Sequence, residues 1–127
     1  DMDGQCNATS AVLASSEPPV RTIKDVLWEG LYAEDVMVPV PFPAPLFLLP
    51  GSRELAFHEA NIDRRQWDEV VSTAREVLLG GMPADVDVVL LDTPPSVGLW
   101  LNAALSASDA CVFVTEPESF STNGVNQ

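Results

Sequence analysis

Apolar positions along this chain alternate between two periods. Leu46-Phe47-Leu48-Leu49 is a continuous apolar run stopped by Pro50-Gly51, too short for a helix and typical of a strand covered on both faces. Val86 to Leu91 contains Val88-Val89-Leu90-Leu91, a β-branched and aliphatic run that breaks at Asp92-Thr93-Pro94-Pro95 and predicts a second strand. Ala110-Cys111-Val112-Phe113-Val114 predicts a third, broken by Pro117. Between them the spacing turns helical. Thr22 with Asp25 forms a capping pair ahead of Ile23, Val26 and Leu27, and that short helix ends near Gly30. Ser52 caps a helix through Ala60. Asp63 and Gln66 open a longer helix with Trp67, Val70, Val71, Ala74, Val77 and Leu78 on one face, ended by Gly80-Gly81 and Pro83. A further helix spans about Val97 to Ala107, and another starts near Ser121. Strands alternating with helices predict an α/β fold, a doubly wound, mostly parallel sheet flanked by helices.

The alternating prolines Pro39, Pro41, Pro43 and Pro45 exclude a helix and predict a stiff extended connector. A chain of 127 residues, 46% hydrophobic, has the size of one domain or part of one. It starts at Asp1 rather than Met and closes at Gln127 inside an expected helix start, so both ends read as cut. Nineteen acids against six bases give a net charge of -13, which repels phosphates and argues against these residues being a DNA-binding surface. Cys6 and Cys111 are far apart, suggest neither a disulfide framework nor a metal pair, and read as reduced thiols in the cytosol. No apolar run is long enough to cross a bilayer and no signal peptide is present, so a cytoplasmic protein without a membrane partner is expected.

Ligands of an open parallel sheet bind beyond the carboxyl ends of its strands. Three polar segments qualify: Asp1 to Thr9, Asp92 to Ser96, and Glu116-Pro117-Glu118-Ser119. An acid ending an apolar strand, as Asp92 does, is where nucleotide-hydrolysing sheets hold magnesium, because a hard cation takes oxygen ligands partly through water. Ordinary turn chemistry before two prolines accounts for Asp92 equally well, and Asp1 and Asp3 alone read as solvated acids.

Their order along the chain adds a resemblance. Asp1-Met2-Asp3 with Gln5 and Asn7-Ala8-Thr9, Glu34-Asp35-Val36 with Val38-Pro39, Leu48 to Ala56, Leu91 to Ser96, Asn102-Ala103, and Pro117-Glu118 with Gly124-Val125 together resemble the ParA/Soj chromosome and plasmid partition ATPases. These belong to the ParA/MinD deviant Walker P-loop superfamily. In that family the first segment is the Walker A′ motif and the Asp92 segment is Walker B; here Gly4 stands for the family's proline and Cys6 for its glycine. The resemblance implies a single, incomplete P-loop NTPase domain over residues 1–127. It implies ATP and Mg2+ as cofactors, an ATP-dependent homodimer, a ParB-like activating partner, and nonspecific binding of nucleoid DNA through regions outside these residues. It implies that Asp3 positions the attacking water, that Asp92 and Asp3 hold magnesium, Asp92 through water, and that Asp1, Gln5, Asn7, Thr93 and Pro94 border the nucleotide. The family's Lys-Gly-Gly-x-Gly-Lys-Thr phosphate loop does not occur in this sequence, so the chain alone is expected to be inactive.

MinD-type ATPases show Ser-Pro-Ala after the Walker B aspartate, so Thr93-Pro94-Pro95 argues against them, whereas related bacterial tyrosine kinases share Asp-Thr-Pro-Pro. A noncatalytic module that kept the fold and lost the nucleotide is the alternative from another class. His58 has no second ligand near it in sequence and is expected to pack or face solvent. Trp67 is expected in the core, Trp28 and Trp100 in the core or at a dimer contact, and Arg64 and Arg65 in solvent.

Overall fold

Several helices begin where the sequence offers a side chain to their free N–H groups. A computed structural model describes residues 1–13, 19–42 and 44–115. Pro43, the Glu116 to Ser119 segment, Gly124-Val125 and the expected helix near Ser121 lie outside them. Helix α1 spans Asn7–Leu13, α2 Ile23–Glu29 and α3 Ala33–Val36. At α2 the Asp25 carboxylate accepts the Thr22 N–H at 2.6 Å, and Gly30 closes the helix in the left-handed conformation at φ 71°. Helix α4 spans Glu54–Asn61, with the Glu54 N–H on Ser52 Oγ at 3.2 Å. Asp63 accepts the Arg65 N–H and opens a 3-10 turn, Arg64–Gln66, that runs into α5, Trp67–Leu79. Helix α6 spans Leu99–Ala107.

The core gathers Met2, Ile23, Leu55, Ala74, Leu78, Leu99, Trp100, Ala103, Ala104 and Ala107. Helix α5 lies along α6, and the alanines of α6 let the two approach closely. Each fully buried Leu, Ile or Met here contributes about 1.5–3 kcal/mol. The Trp100 indole donates to Leu55 O at 2.8 Å and so pins α6 to α4. Trp67 is half-buried beneath the Arg64 guanidinium, and Trp28 remains 40% exposed against His58 and Trp100.

The sheet departs from expectation. Among the described residues the one ladder is antiparallel and two-stranded, β1 Val38–Pro39 with β2 Phe47–Leu48, and Val38 lies opposite Leu48. The proline connector therefore folds back on the 46–49 run. Pro39 lacks an N–H, so the pairing is carried past it by Val40 N–H on Leu46 O at 2.9 Å. The expected strands at 86–91 and 110–114 join no ladder among the described residues. Leu90 is 84% and Val112 83% exposed, with Val88 and Phe113 also facing outward, because an apolar run becomes a strand only when another backbone pairs with it. A groove of about 700 Å³ is lined by residues 44–49 and 85–91. Another of about 560 Å³ is lined by 89–93 and 110–112.

Candidate functional site

Three chain segments meet at one end of the molecule. The Asp1 nitrogen donates to Leu49 O at 3.1 Å, and the Met2 N–H donates to Asp92 O at 2.8 Å. Asp1-Met2 thus lies between the end of the 46–49 run and the end of the 86–91 run. Asp3 and Asp92 are brought to the same end on neighbouring segments, joined by the Met2 N–H to Asp92 O bond.

Asp1 holds the turn together. Its Oδ1 accepts the Asp3 N–H at 3.1 Å, and its Oδ2 accepts both the Thr9 N–H at 2.8 Å and the Thr9 hydroxyl at 2.7 Å. Asp3 is buried, and its Oδ1 accepts the Gln5 N–H at 2.9 Å. Asp3 O then accepts the Cys6 N–H at 2.9 Å, which closes a tight turn before α1. Cys6 takes φ 56°, the left-handed region that costs a non-glycine residue about 1–2 kcal/mol. Burial pushes the Cys6 thiol up; the Arg53 guanidinium nearby opposes this, and the Asp3 carboxylate adds to it.

Gln5 and Asn7 are exposed, with Asn7 Nδ2 3.4 Å from Gln5 Oε1. Asp92 is exposed, and its carboxylate has no hydrogen-bond or ion-pair partner among the described residues. Thr93 and Pro94 follow it half-buried. Beyond this loop α6 starts at Leu99, whose N–H is capped by Glu59 Oε1 at 2.8 Å. Asp1, Asp3, Gln5, Cys6, Asp92 and Thr93 therefore share one end of the molecule.

The donor set suits a hard cation better than a soft one. Among the described residues no three His, Cys, Asp or Glu side chains form a metal cluster. An unpartnered exposed carboxylate beside a second acid fits magnesium, which keeps several waters and takes one or two protein oxygens. A phosphate cradle is another matter: the one lysine, Lys24, sits on α2 and pairs with Glu54 at 3.1 Å, which raises its pKa. Arg65 is paired with Asp63 and Arg75 with Asp109, while Arg21 reaches Asp35 O and Arg64 covers Trp67. Arg53, exposed at the start of α4, alone has no such partner among the described residues. Sequence reasoning placed Arg53 and Thr9 within motif segments but gave neither a role, because their roles depend on what they face across the fold.

Comparison with known proteins covers the whole chain. The family model described as "AAA domain" matches residues 1–127. The chain is 29% identical to a "ParA family protein" of Mycoplasma pneumoniae, over 98% of this chain and 48% of that protein. It is 28% identical to the "Sporulation initiation inhibitor protein Soj" of Bacillus subtilis, over 100% of this chain and 49% of that protein. With the "Chromosome partitioning protein ParA" of Myxococcus xanthus it shares 27% identity, over 100% of this chain and 44% of that protein. The chain thus spans about half the length of the curated relatives it matches. No solved structure gives a significant match.

Proposed function

We propose, from the premise that this chain belongs to the AAA-domain family of ParA-type P-loop ATPases, that the whole protein hydrolyses ATP to drive partition of chromosomal or plasmid DNA. The observation that carries the reading is the Met2 to Asp92 backbone bond, which brings Asp3 and Asp92 to one end on adjacent segments. In this reading Asp92 is the metal-holding acid and Asp3 lies beside it. Magnesium, when bound, neutralises charge developing on the transferred phosphoryl group. Asp3, fixed by its bonds to Asp1 and Gln5, orients the attacking water. Gln5, Asn7, Thr93 and Pro94 border the nucleotide, and Asp1 buttresses the turn from behind. Among the described residues Arg53 is the cation without a hydrogen-bond, ion-pair or aromatic-ring partner and is the one that would meet a phosphate.

The phosphate cradle comes from residues outside these 127, and so do the strands that complete a doubly wound parallel sheet. Exposed Leu90 and Val112 and the grooves beside them support that architecture. The ATP-bound form is a homodimer in the cytoplasm, a ParB-like partner triggers turnover, and DNA is held by other regions. The -13 charge supports placing DNA contacts elsewhere.

The test separates the two acids in the whole protein. Asp3→Ala should spare ATP binding, slow turnover by orders of magnitude and accumulate an ATP-bound dimer, since phosphoryl transfer rests on geometry and electrostatics. Asp92→Ala should weaken magnesium-dependent binding itself. Turnover with and without the activating partner, beside size-exclusion profiles in ATP, distinguishes them. If Asp3→Ala turns over at the wild-type rate, Asp3 is a structural turn residue and the catalytic assignment falls.

A further inference from the structure

Thr9 is buried on α1, 7% exposed, and its hydroxyl is used in both directions. It donates to Asp1 Oδ2 at 2.7 Å and accepts the Gly51 N–H at 2.7 Å. Asp1 Oδ1 in turn accepts the Asp3 N–H. A connected series of bonds therefore links Gly51, Thr9, Asp1 and the backbone of Asp3, with the Asp1 carboxylate accepting from both sides, and joins parts of the chain 42 residues apart. Gly51 approaches so closely that a Cβ there would stand 2.9 Å from Asp1 Cγ and 3.0 Å from Asp1 Oδ2. On its far side the same loop is tethered through Pro50 O, which accepts the Ile23 N–H of α2 at 2.8 Å. The Asp1 carboxylate is thus gripped on one oxygen by Thr9 and bonded on the other to the turn that carries Asp3.

We propose that Thr9 is a positioning residue for hydrolysis: by locking Asp1 to the Pro50-Gly51-Ser52 loop it sets where the Asp3 carboxylate stands. The inference rests on the ATPase reading above, with Asp3 as the residue that touches the water. Valine has nearly the shape of threonine but neither donates nor accepts, so Thr9→Val leaves the Gly51 N–H without its acceptor and removes one hydrogen bond from Asp1. The turn can then shift, and a displacement of about 1 Å at a reacting group can lower turnover about 100-fold. Substrate affinity should not follow, because Thr9 touches Asp1 and Gly51 rather than solvent.

The experiment uses the whole protein with magnesium and ATP. Thr9→Val should lower kcat about 10- to 100-fold with KM for ATP within about twofold, and Thr9→Ser, which keeps the hydroxyl, should recover most of the rate. Gly51→Ala, which pushes on the Asp1 carboxylate directly, should reproduce the kcat loss and serves as the readout if Thr9→Val does not fold. Asp3→Ala is measured in parallel. A wild-type kcat in folded Thr9→Val, or in Gly51→Ala where that serves as the readout, beside a slow Asp3→Ala overturns the positioning role alone. Failure of Thr9→Ser to recover the rate, or a loss expressed in KM, overturns it as well. A wild-type rate in Asp3→Ala overturns the underlying ATPase assignment instead.

Discussion

Gly98 offers a test in which a single substitution should reverse its sign according to one neighbour. It precedes α6 in extended backbone, φ -153°, a conformation open to any residue, so glycine is not required there by its torsion angles. What excludes a side chain is Glu59. A Cβ on Gly98 would collide with Glu59 Oε1 and stand 2.9 Å from Glu59 Cδ. That same oxygen caps α6 through the Leu99 N–H at 2.8 Å. Gly98→Ala must therefore displace the cap, and loss of a hydrogen bond to a charged group costs about 1.5–2 kcal/mol. Alanine also narrows the unfolded ensemble, which offsets about 0.4–1 kcal/mol. The net expectation is destabilisation by about 0.5–1.5 kcal/mol. With Glu59→Ala already in place, the cap is gone and so is the obstacle. Gly98→Ala should then stabilise by about 0.4–1 kcal/mol, leaving a coupling of about 1.5–2 kcal/mol between the two positions. Urea titration of the whole protein, followed by tryptophan fluorescence with Trp100 two residues along α6, reads both changes as midpoint shifts at constant m. Equal destabilisation by Gly98→Ala in both backgrounds would refute the geometry on which the argument stands.

Three further outcomes follow, two from single sites and one from the chain as a whole. Burial lowers the pKa of His58, so the folded protein prefers it neutral; stability should fall as pH drops below the unfolded value of about 6.5, and His58→Gln should flatten that slope in melting temperatures taken from pH 7 to pH 5. Cys6→Gly should raise stability by about 0.5–1 kcal/mol, since it relieves the left-handed strain at φ 56° while enlarging the unfolded ensemble; a lower denaturation midpoint would show that Cys6 packing outweighs the strain. The 127 residues expressed alone should associate and give no micromolar calorimetric isotherm with magnesium and ATP, because apolar runs such as 86–91 stand open and no lysine loop is present. A clean monomer with a sharp melt, or a clear isotherm, would contradict one or the other.

The helices were legible because their signals are local. Thr22 with Asp25, Ser52 ahead of Glu54, and Asp63 ahead of Arg65 each place an acceptor within a few residues of the N–H it serves. The face Trp67, Val70, Val71, Ala74, Leu78 needs only a 3.6-residue period to be recognised. Helix α1 was missed because Asn7–Leu13 is built from small and polar residues with no apolar stripe, inside a segment read as a motif. The sheet was less legible for a different reason. Val86 to Leu91 has the composition of a buried strand, but composition states a preference for pairing and cannot supply the partner.

The candidate site divides along the same physical line. Asp92 stood out because an acid at the end of an apolar run is visible in one dimension, whereas Asp3 stood out only through the family resemblance, and the Met2 to Asp92 bond then brings the two segments together. Thr9 is visible in sequence only as part of the Asn7-Ala8-Thr9 motif, and it gains a role when Gly51, 42 residues on, is found donating to its hydroxyl. Residues that hold a turn in place are selected by distance across the fold, and a buried hydroxyl with both of its roles filled acts through geometry rather than through its own reactivity. The acids at this end can be recognised by their chemistry, whereas the groups that aim them are recognised only by their partners. For this reason the decisive experiment pairs Asp3 with the residue behind it, Thr9. A loss confined to kcat at Thr9 would trace aim to the Gly51 loop, and an unaffected kcat would leave Asp3 held by its own turn through the Gln5 N–H.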